Sequence, residues 1–139
     1  MVGGADSDSF LKSAEMYDPS AGQGRALPDM SVARLGCAAL CIEGNVYVVG
    51  GHDDDSFLKS AEMYDGSAGQ WRALPDMSVA RYGCAAVGID GNVYVVGGGS
   101  DFATQLASME CFDPIANEWH TLLSMSNPRW YCAAVACDM

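Results

Sequence analysis

Residues 44–51 read Gly-Asn-Val-Tyr-Val-Val-Gly-Gly, and residues 91–98 repeat the same eight letters. The two copies are 47 residues apart (91 − 44 = 47), and Met1-Val2-Gly3-Gly4 matches the end of a third copy at that spacing (50 − 3 = 47). Apolar, β-prone residues followed by a glycine pair predict a short buried strand that ends at a turn. Because the signal recurs at a fixed period, it indicates a repeat protein.

The chain divides into three units within one domain spanning 1–139: 3–49, 50–96 and 97–139, the last incomplete. Each unit predicts four short strands and no helix, which is typical of an antiparallel β-propeller blade. We expect residues 35–74 and 83–122 to form four-stranded blades and 12–27 to form an incomplete one. The strands rich in Gly, Cys and Ala, including a last one over 131–137, are expected to lie innermost, where space is least.

Residues that repeat without change are expected to build the scaffold. A partly buried charge needs a counter-charge, so the repeated arginines should pair with the repeated glutamates. The two sets are Arg34, Arg81 and Arg129, and Glu15, Glu62 and Glu110.

A tryptophan follows the strand aromatic by seven residues in two units (71 − 64 = 7 and 119 − 112 = 7), whereas the first unit has Gly24 there. We expect Trp71 and Trp119 to fill the space between blades and Gly24 to leave a gap. The first unit should then be the loosest, and Gly24→Trp should stabilise the chain.

Composition limits the function classes. The net charge of −11 argues against a nucleic-acid or anionic-membrane surface, since both need a basic patch, and favours a protein partner with a basic segment. No apolar run approaches the roughly 18 residues of a membrane span, and no signal peptide is evident, so we expect a cytoplasmic protein. The six cysteines contain no Cys-x-x-Cys pair, so we expect free thiols and neither metal nor cofactor.

These elements resemble kelch repeats: the glycine pair after an apolar strand, Tyr-Asp or Phe-Asp, the spaced tryptophan, and Arg before the small-residue strand. The wording Lys-Ser-Ala-Glu-Met-Tyr-Asp (59–65) is most similar to kelch-like substrate adaptors of cullin-3 ubiquitin ligases, although this chain shows no BTB or BACK domain. The resemblance implies an all-β kelch β-propeller and a non-catalytic protein-interaction module, with substrate recognition for a ligase when joined to other domains.

Positions that differ between equivalent units are candidates for partner contact. They include Ala5/His52/Gly99, Ser7/Asp54/Asp101 and Leu35/Tyr82/Trp130. In kelch propellers the corresponding loops open on one face, and exposed aromatic residues are the usual interface anchors. The alternative is that these aromatic rings pack between blades. The predicted partner-binding residues are His52, Asp54, Tyr82, Asp101, Trp130 and Tyr131.

Other functions of the family are alternatives. A kelch-type enzyme, a metal-dependent oxidase or an isomerase, needs a converging set of ligands, whereas His52 and His120 fall in different parts of the repeat. Asp53-Asp54-Asp55 could bind calcium or a basic peptide, although such loops are mostly solvated. An actin-binding role is disfavoured because actin is acidic, like this surface.

Three units are fewer than the roughly four to eight blades of a propeller. Either the chain is part of a longer protein, or two copies associate head to tail into a six-bladed homodimer. In the dimer, strand 131–137 of one copy would complete the blade begun by 12–27 of the other.

Overall fold

The structure, a computed structural model, describes residues 1–137. Alternation of small or apolar with polar residues gives short strands, and Gly- and Asp-containing turns separate them. Within the described residues there are ten strands and no helix, so none that could span a membrane. The strands are β1 (Ala14–Asp18), β2 (Gln23–Leu27), β3 (Ala38–Ile42), β4 (Asn45–Val49), β5 (Ala61–Asp65), β6 (Gln70–Leu74), β7 (Ala85–Ile89), β8 (Asn92–Val96), β9 (Met109–Asp113) and β10 (Glu118–Leu122).

The strands form two complete sheets and one partial sheet, and all pairs are antiparallel. The complete sheets have the orders β3-β4-β5-β6 and β7-β8-β9-β10, while β1 pairs only with β2 among the named strands. Val2 extends the partial sheet through a bridge to Ala14, as Val49 pairs with Ala61 in the next sheet. The predicted blades over 35–74 and 83–122, and the incomplete blade over 12–27, are therefore confirmed.

The small-residue strands β3 and β7 lie at corresponding edges of the two complete sheets and contact each other. Their spacing leaves little room for side chains. A Cβ placed on Gly88 would lie 3.0 Å from Ile42 Cγ1 and 3.2 Å from Leu40 Cδ1. The absence of a side chain at Gly88 thus allows these inner strands to approach closely, as the sequence predicted.

The predicted strand over 131–137 is wrong: these residues have no strand conformation. In the complete sheets the corresponding strands pair with the following Asn-Val-Tyr-Val-Val segments, β4 and β8. No such segment lies beside 131–137 among the described residues, so its backbone donors and acceptors lack a ladder to join.

Buried ion pairs connect successive units. Arg34 pairs with Glu62 (Nη2 to Oε2, 3.2 Å) and Arg81 pairs with Glu110 (2.8 Å), with all four side chains almost inaccessible to solvent. The predicted Arg–Glu pairing is correct in residue type, and each arginine reaches the glutamate of the next unit. Within residues 1–137, Arg129 and Glu15 are not joined to such partners, and both are exposed.

The tryptophans also connect units. Trp71 packs on its strand neighbour Tyr64 (ring centroids 5.4 Å apart) and donates its indole N–H to the Pro28 carbonyl of the preceding unit (2.6 Å). Trp119 repeats the arrangement with Phe112 and Pro75. The two rings therefore lie between blades, as expected, although both are only half-buried.

Gly24 differs from this expectation. A Cβ placed there meets one atom within 4 Å, the Met16 carbonyl oxygen at 4.0 Å. Because no blade precedes the first one within the described residues, the missing ring leaves an open surface rather than a gap between blades.

Candidate functional site

The loop after each glycine pair lies beside the segment that precedes the innermost strand of the previous unit. Leu35 and His52 exchange two backbone hydrogen bonds of 2.9 and 2.8 Å, and Tyr82 and Gly99 exchange two of the same lengths. These contacts bring the variable positions of the two loops together on one face. The predicted positions 52, 82 and 99 are thus neighbours, which the sequence could suggest only through the family resemblance.

A line of backbone hydrogen bonds crosses this face between units. The Gly83 N–H donates to the Gly36 carbonyl (2.8 Å), and the Tyr131 N–H donates to the Gly83 carbonyl (2.6 Å). Gly36 and Gly83 have positive φ, and Tyr131 has φ 49° at the equivalent position. A non-glycine residue with positive φ is strained. At the candidate site, Tyr131 therefore adopts a strained backbone conformation at a position that is glycine in the other two units.

Aromatic side chains form a continuous chain of contacts on this face. His52 lies 4.6 Å from Phe57 and 5.7 Å from Phe10, measured between ring centroids. Phe57 contacts Phe102 at 4.7 Å, and Tyr82 contacts Tyr131 at 5.5 Å. The set, called the aromatic cluster below, consists of Phe10, His52, Phe57, Tyr82, Phe102, Trp130 and Tyr131.

The cluster is open to solvent at one side. Phe102 is 66% exposed and Tyr131 is 65% exposed, while the other members are half-buried. The Tyr131 hydroxyl donates a hydrogen bond to the Tyr82 hydroxyl. Desolvation of the phenol, together with this hydrogen bond, raises the pKa of Tyr131 to about 12, so the Tyr131 phenol stays neutral near pH 7.

Four of the six predicted partner-binding residues, His52, Tyr82, Trp130 and Tyr131, belong to the cluster. The prediction missed Phe10, Phe57 and Phe102. Phe10 and Phe57 repeat at the 47-residue spacing, which is typical of scaffold residues, although Phe57 lies in the same loop as His52 and Phe10 lies in the equivalent loop of the first unit. Phe102 has no aromatic counterpart, since Asp54 takes the equivalent place in the second unit. Gln105 takes the place of Phe57 in the third unit, since Gly99 bridges to Gln105 as His52 bridges to Phe57.

The remaining predicted residues, Asp54 and Asp101, lie in the adjacent loops and have different surroundings. The Asp101 carboxylate accepts the N–H groups of Ala103 and Thr104 (both 2.7 Å). These hydrogen bonds hold the pKa of Asp101 below its usual value. Asp53 makes the same contacts with Asp55 and Ser56. The counterpart of Asp101 is therefore Asp53 and not Asp54, because the extra residue of the third unit comes before Asp101.

Asp54 and Asp55 are exposed at the rim of an open cleft of about 340 Å³. Phe10 and Lys12 also line this cleft. A larger cleft of about 560 Å³ lies near the β3–β4 turn, is lined by charges of both signs, and contains none of the predicted site residues. Of these two clefts, the smaller one adjoins the aromatic cluster.

The other reactive side chains lie apart. His120 is on the outer strand β10, opposite Cys111, whereas His52 belongs to the aromatic cluster. The described residues contain no group of three potential metal ligands. All six cysteines are free, and burial raises the pKa of the Cys84 thiol to about 12.

Comparison with known proteins agrees with this architecture. A solved structure entitled "Structure of YjhT" superposes with a TM-score of 0.76 at 17% sequence identity, over 93% of this chain and 49% of that one. The chain thus spans about half the length of that structure, and the likeness concerns the fold. No curated protein sequence matches the chain significantly. The family model described as the Kelch motif matches residues 33–78 and 80–126. Because these two matches cover more than half of the sequence, the chain belongs to the kelch-repeat family.

Proposed function

We propose that this chain is a non-catalytic protein-binding module and that its partner docks on the aromatic cluster. The observation that carries the proposal is the unbroken set of ring contacts from Phe10 through His52 and Tyr82 to Trp130, which spans loops of different units. Partly exposed aromatic rings supply large contact area with little loss of conformational freedom, and they dominate binding energy at protein interfaces.

The partner proposed is a protein segment that carries arginine or lysine. Asp8, Asp54 and Asp55 are exposed in loops that flank the cluster, and the whole chain has a net charge of −11. Acidic side chains around the rings attract a cation, and a guanidinium stacked on an aromatic face gains about 0.5–2 kcal/mol. A basic side chain therefore satisfies both features of this surface.

The absence of catalysis is part of the proposal. His52 packs against aromatic rings on several sides, and His120 is on an outer strand, so the two histidines are not placed to share a metal ion. This argues against the oxidase alternative, and the acidic surface argues against actin binding.

We further propose that the module selects a substrate for a cullin-3 ubiquitin ligase when it is joined to the other adaptor domains. The support for this role is the amino-acid sequence of residues 59–65, which is similar to that of the kelch-like adaptors. A cytoplasmic location fits the six free cysteines, because a reducing compartment keeps thiols unpaired.

Fluorescence anisotropy with a labelled arginine-rich peptide tests the proposed surface. We expect binding that weakens as salt is added, and no binding of a glutamate-rich peptide of the same length. Phe102→Ala combined with Tyr82→Ala should weaken binding of the basic peptide about tenfold or more.

The matched control is Ile115→Ala, which truncates an exposed hydrophobic side chain in the β9–β10 turn. This variant should bind like the original chain. Equal affinities for Phe102→Ala/Tyr82→Ala and Ile115→Ala, with the fold retained in both, would show that the partner docks elsewhere.

A further inference from the structure

Three rings of the aromatic cluster meet at a corner. The ring centroids of His52, Phe57 and Tyr82 are 4.6–6.1 Å apart. Their planes cross pairwise at 70–85°, so each ring is nearly perpendicular to the other two. These three half-buried side chains are called the ring corner below. Several aromatic rings around one point are the means by which proteins bind quaternary ammonium groups.

Phe102 occupies the open side of the ring corner. Its ring centroid lies 4.7 Å from that of Phe57, 5.6 Å from that of His52 and 6.1 Å from that of Tyr82. A cation is attracted to an aromatic face within about 6 Å of the ring centroid. A cation that replaced the Phe102 ring would therefore be in range of all three rings of the corner.

The fold does not depend on Phe102 at this place. The side chain is 66% exposed, and Asp54 takes the equivalent place in the second unit. The turn that carries Phe102 is closed by its own hydrogen bonds, since the Asp101 carboxylate accepts the Ala103 and Thr104 N–H groups (both 2.7 Å). The ring can therefore leave the corner while the turn and the blades stay intact, and little buried contact is lost.

The ring corner favours a cation without hydrogen-bond donors. A guanidinium or a primary ammonium carries N–H groups that need acceptors after they leave water. The Tyr82 hydroxyl already pairs with the Tyr131 hydroxyl, and the Asp101 carboxylate already accepts two backbone N–H groups. A trimethylammonium has no N–H group and keeps its attraction to the ring faces. The exposed Asp54 and Asp55 of the neighbouring loop attract its positive charge and repel the phosphate of a phosphocholine headgroup.

We propose that the ring corner binds one trimethylated lysine of the partner and that Phe102 fills this site until the partner displaces it. The proposal rests on the proposed function, in which a basic segment docks on the aromatic cluster, and it assigns one side chain of that segment. A site that is open in only a fraction of the molecules binds with an apparent affinity reduced by that fraction. Removal of Phe102 therefore strengthens binding, whereas removal of a ring of the corner weakens it.

Fluorescence anisotropy with two labelled peptides of one basic sequence tests the site, where one peptide has a single trimethyllysine and the other has lysine at that position. The original chain should bind the trimethylated peptide about tenfold more tightly. Phe57→Leu and Tyr82→Leu each retain an apolar side chain but remove a ring face, so each should abolish this preference. Phe102→Ala should strengthen binding of the trimethylated peptide about threefold or more.

The matched control is Tyr17→Leu, which makes the same change in an exposed ring on β1, outside the aromatic cluster. This variant should keep both affinities. Circular dichroism should show the strand signal of the original chain in every variant.

Equal affinities of the original chain for the two peptides would overturn the lysine site but leave the proposed docking of a basic segment intact. Failure of both peptides to bind would overturn both proposals. A loss of affinity in Phe102→Ala as large as that in Phe57→Leu would show that Phe102 is part of the binding surface and not a displaceable occupant. Tighter binding to phosphatidylcholine vesicles than to the trimethylated peptide would assign the ammonium to a lipid and overturn the choice of lysine.

Discussion

Removing Arg81 should expose the cost of a buried charge at a blade junction. Arg81→Met retains most of the side-chain volume but removes all five hydrogen bonds that the guanidinium donates. Glu110, which is 1% exposed, keeps only the Ser78 N–H as a polar partner (2.8 Å). Breaking a buried pair in this way costs about 3–5 kcal/mol, a large fraction of the roughly 5–15 kcal/mol that stabilises an ordinary domain.

The measurement is the free energy of unfolding in urea, followed by the strand signal in circular dichroism. Arg34→Met should lose a similar amount, because Glu62 is left in the same situation. The control is Arg129→Met, which removes an exposed arginine and should change the stability of the monomer by less than about 0.5 kcal/mol.

A double variant separates the lost pair from the charge left behind. Glu110→Gln added to Arg81→Met should recover part of the loss, because it neutralises the buried carboxylate. A loss of less than about 1 kcal/mol for Arg81→Met, or a loss no larger than that of Arg129→Met, would contradict the cost assigned to the unpaired Glu110 carboxylate. The same conclusion would follow if the double variant were less stable than Arg81→Met alone.

Three further predictions concern single positions. Gly24→Trp should change the free energy of unfolding by less than about 0.5 kcal/mol, because the new ring would lie on an open surface and not between two blades; a gain of several kcal/mol would contradict this. Tyr131→Gly should change stability by less than about 1 kcal/mol, since relief of positive-φ strain offsets the lost ring contacts, yet it should weaken binding of the basic peptide; unchanged binding would count against a role for Tyr131. A thiol reagent should label the exposed Cys41 and Cys137 quickly and Cys84 slowly at neutral pH, because Cys84 is buried and its pKa is raised to about 12; rapid labelling of Cys84 by mass spectrometry would contradict its burial.

The repeat made the architecture predictable from sequence. The spacing between Gly50 and Gly97 fixes the length of one repeat unit. The hydrophobic patterns predicted the strands of both complete blades, because each pattern appears more than once. The arginine and glutamate series predicted the ion pairs by residue type. Which glutamate each arginine reaches depends on how units stack in three dimensions, and the sequence spacing alone could not determine that.

The candidate site was predictable only in part. We predicted His52, Tyr82 and Trp130 as partner-binding residues because these positions differ between units. The structure places all three in the aromatic cluster. Phe57 was missed because a residue that repeats looks structural even when it lies in a surface loop. Phe102 was missed because the extra residue of the third unit shifts the loop, and because the equivalent position of the second unit is Asp54 and not an aromatic residue.

The most direct test of the central claim is a map of the partner contact by NMR, with backbone amide shifts followed as an arginine-rich peptide is added. If the partner docks on the aromatic cluster, the largest changes should fall in 52–57, 82, 99–104 and 130–131, where the cluster and its acidic loops lie. Changes concentrated instead on the outer strands β6 and β10, or at the 43–44 and 90–91 turns, would contradict it.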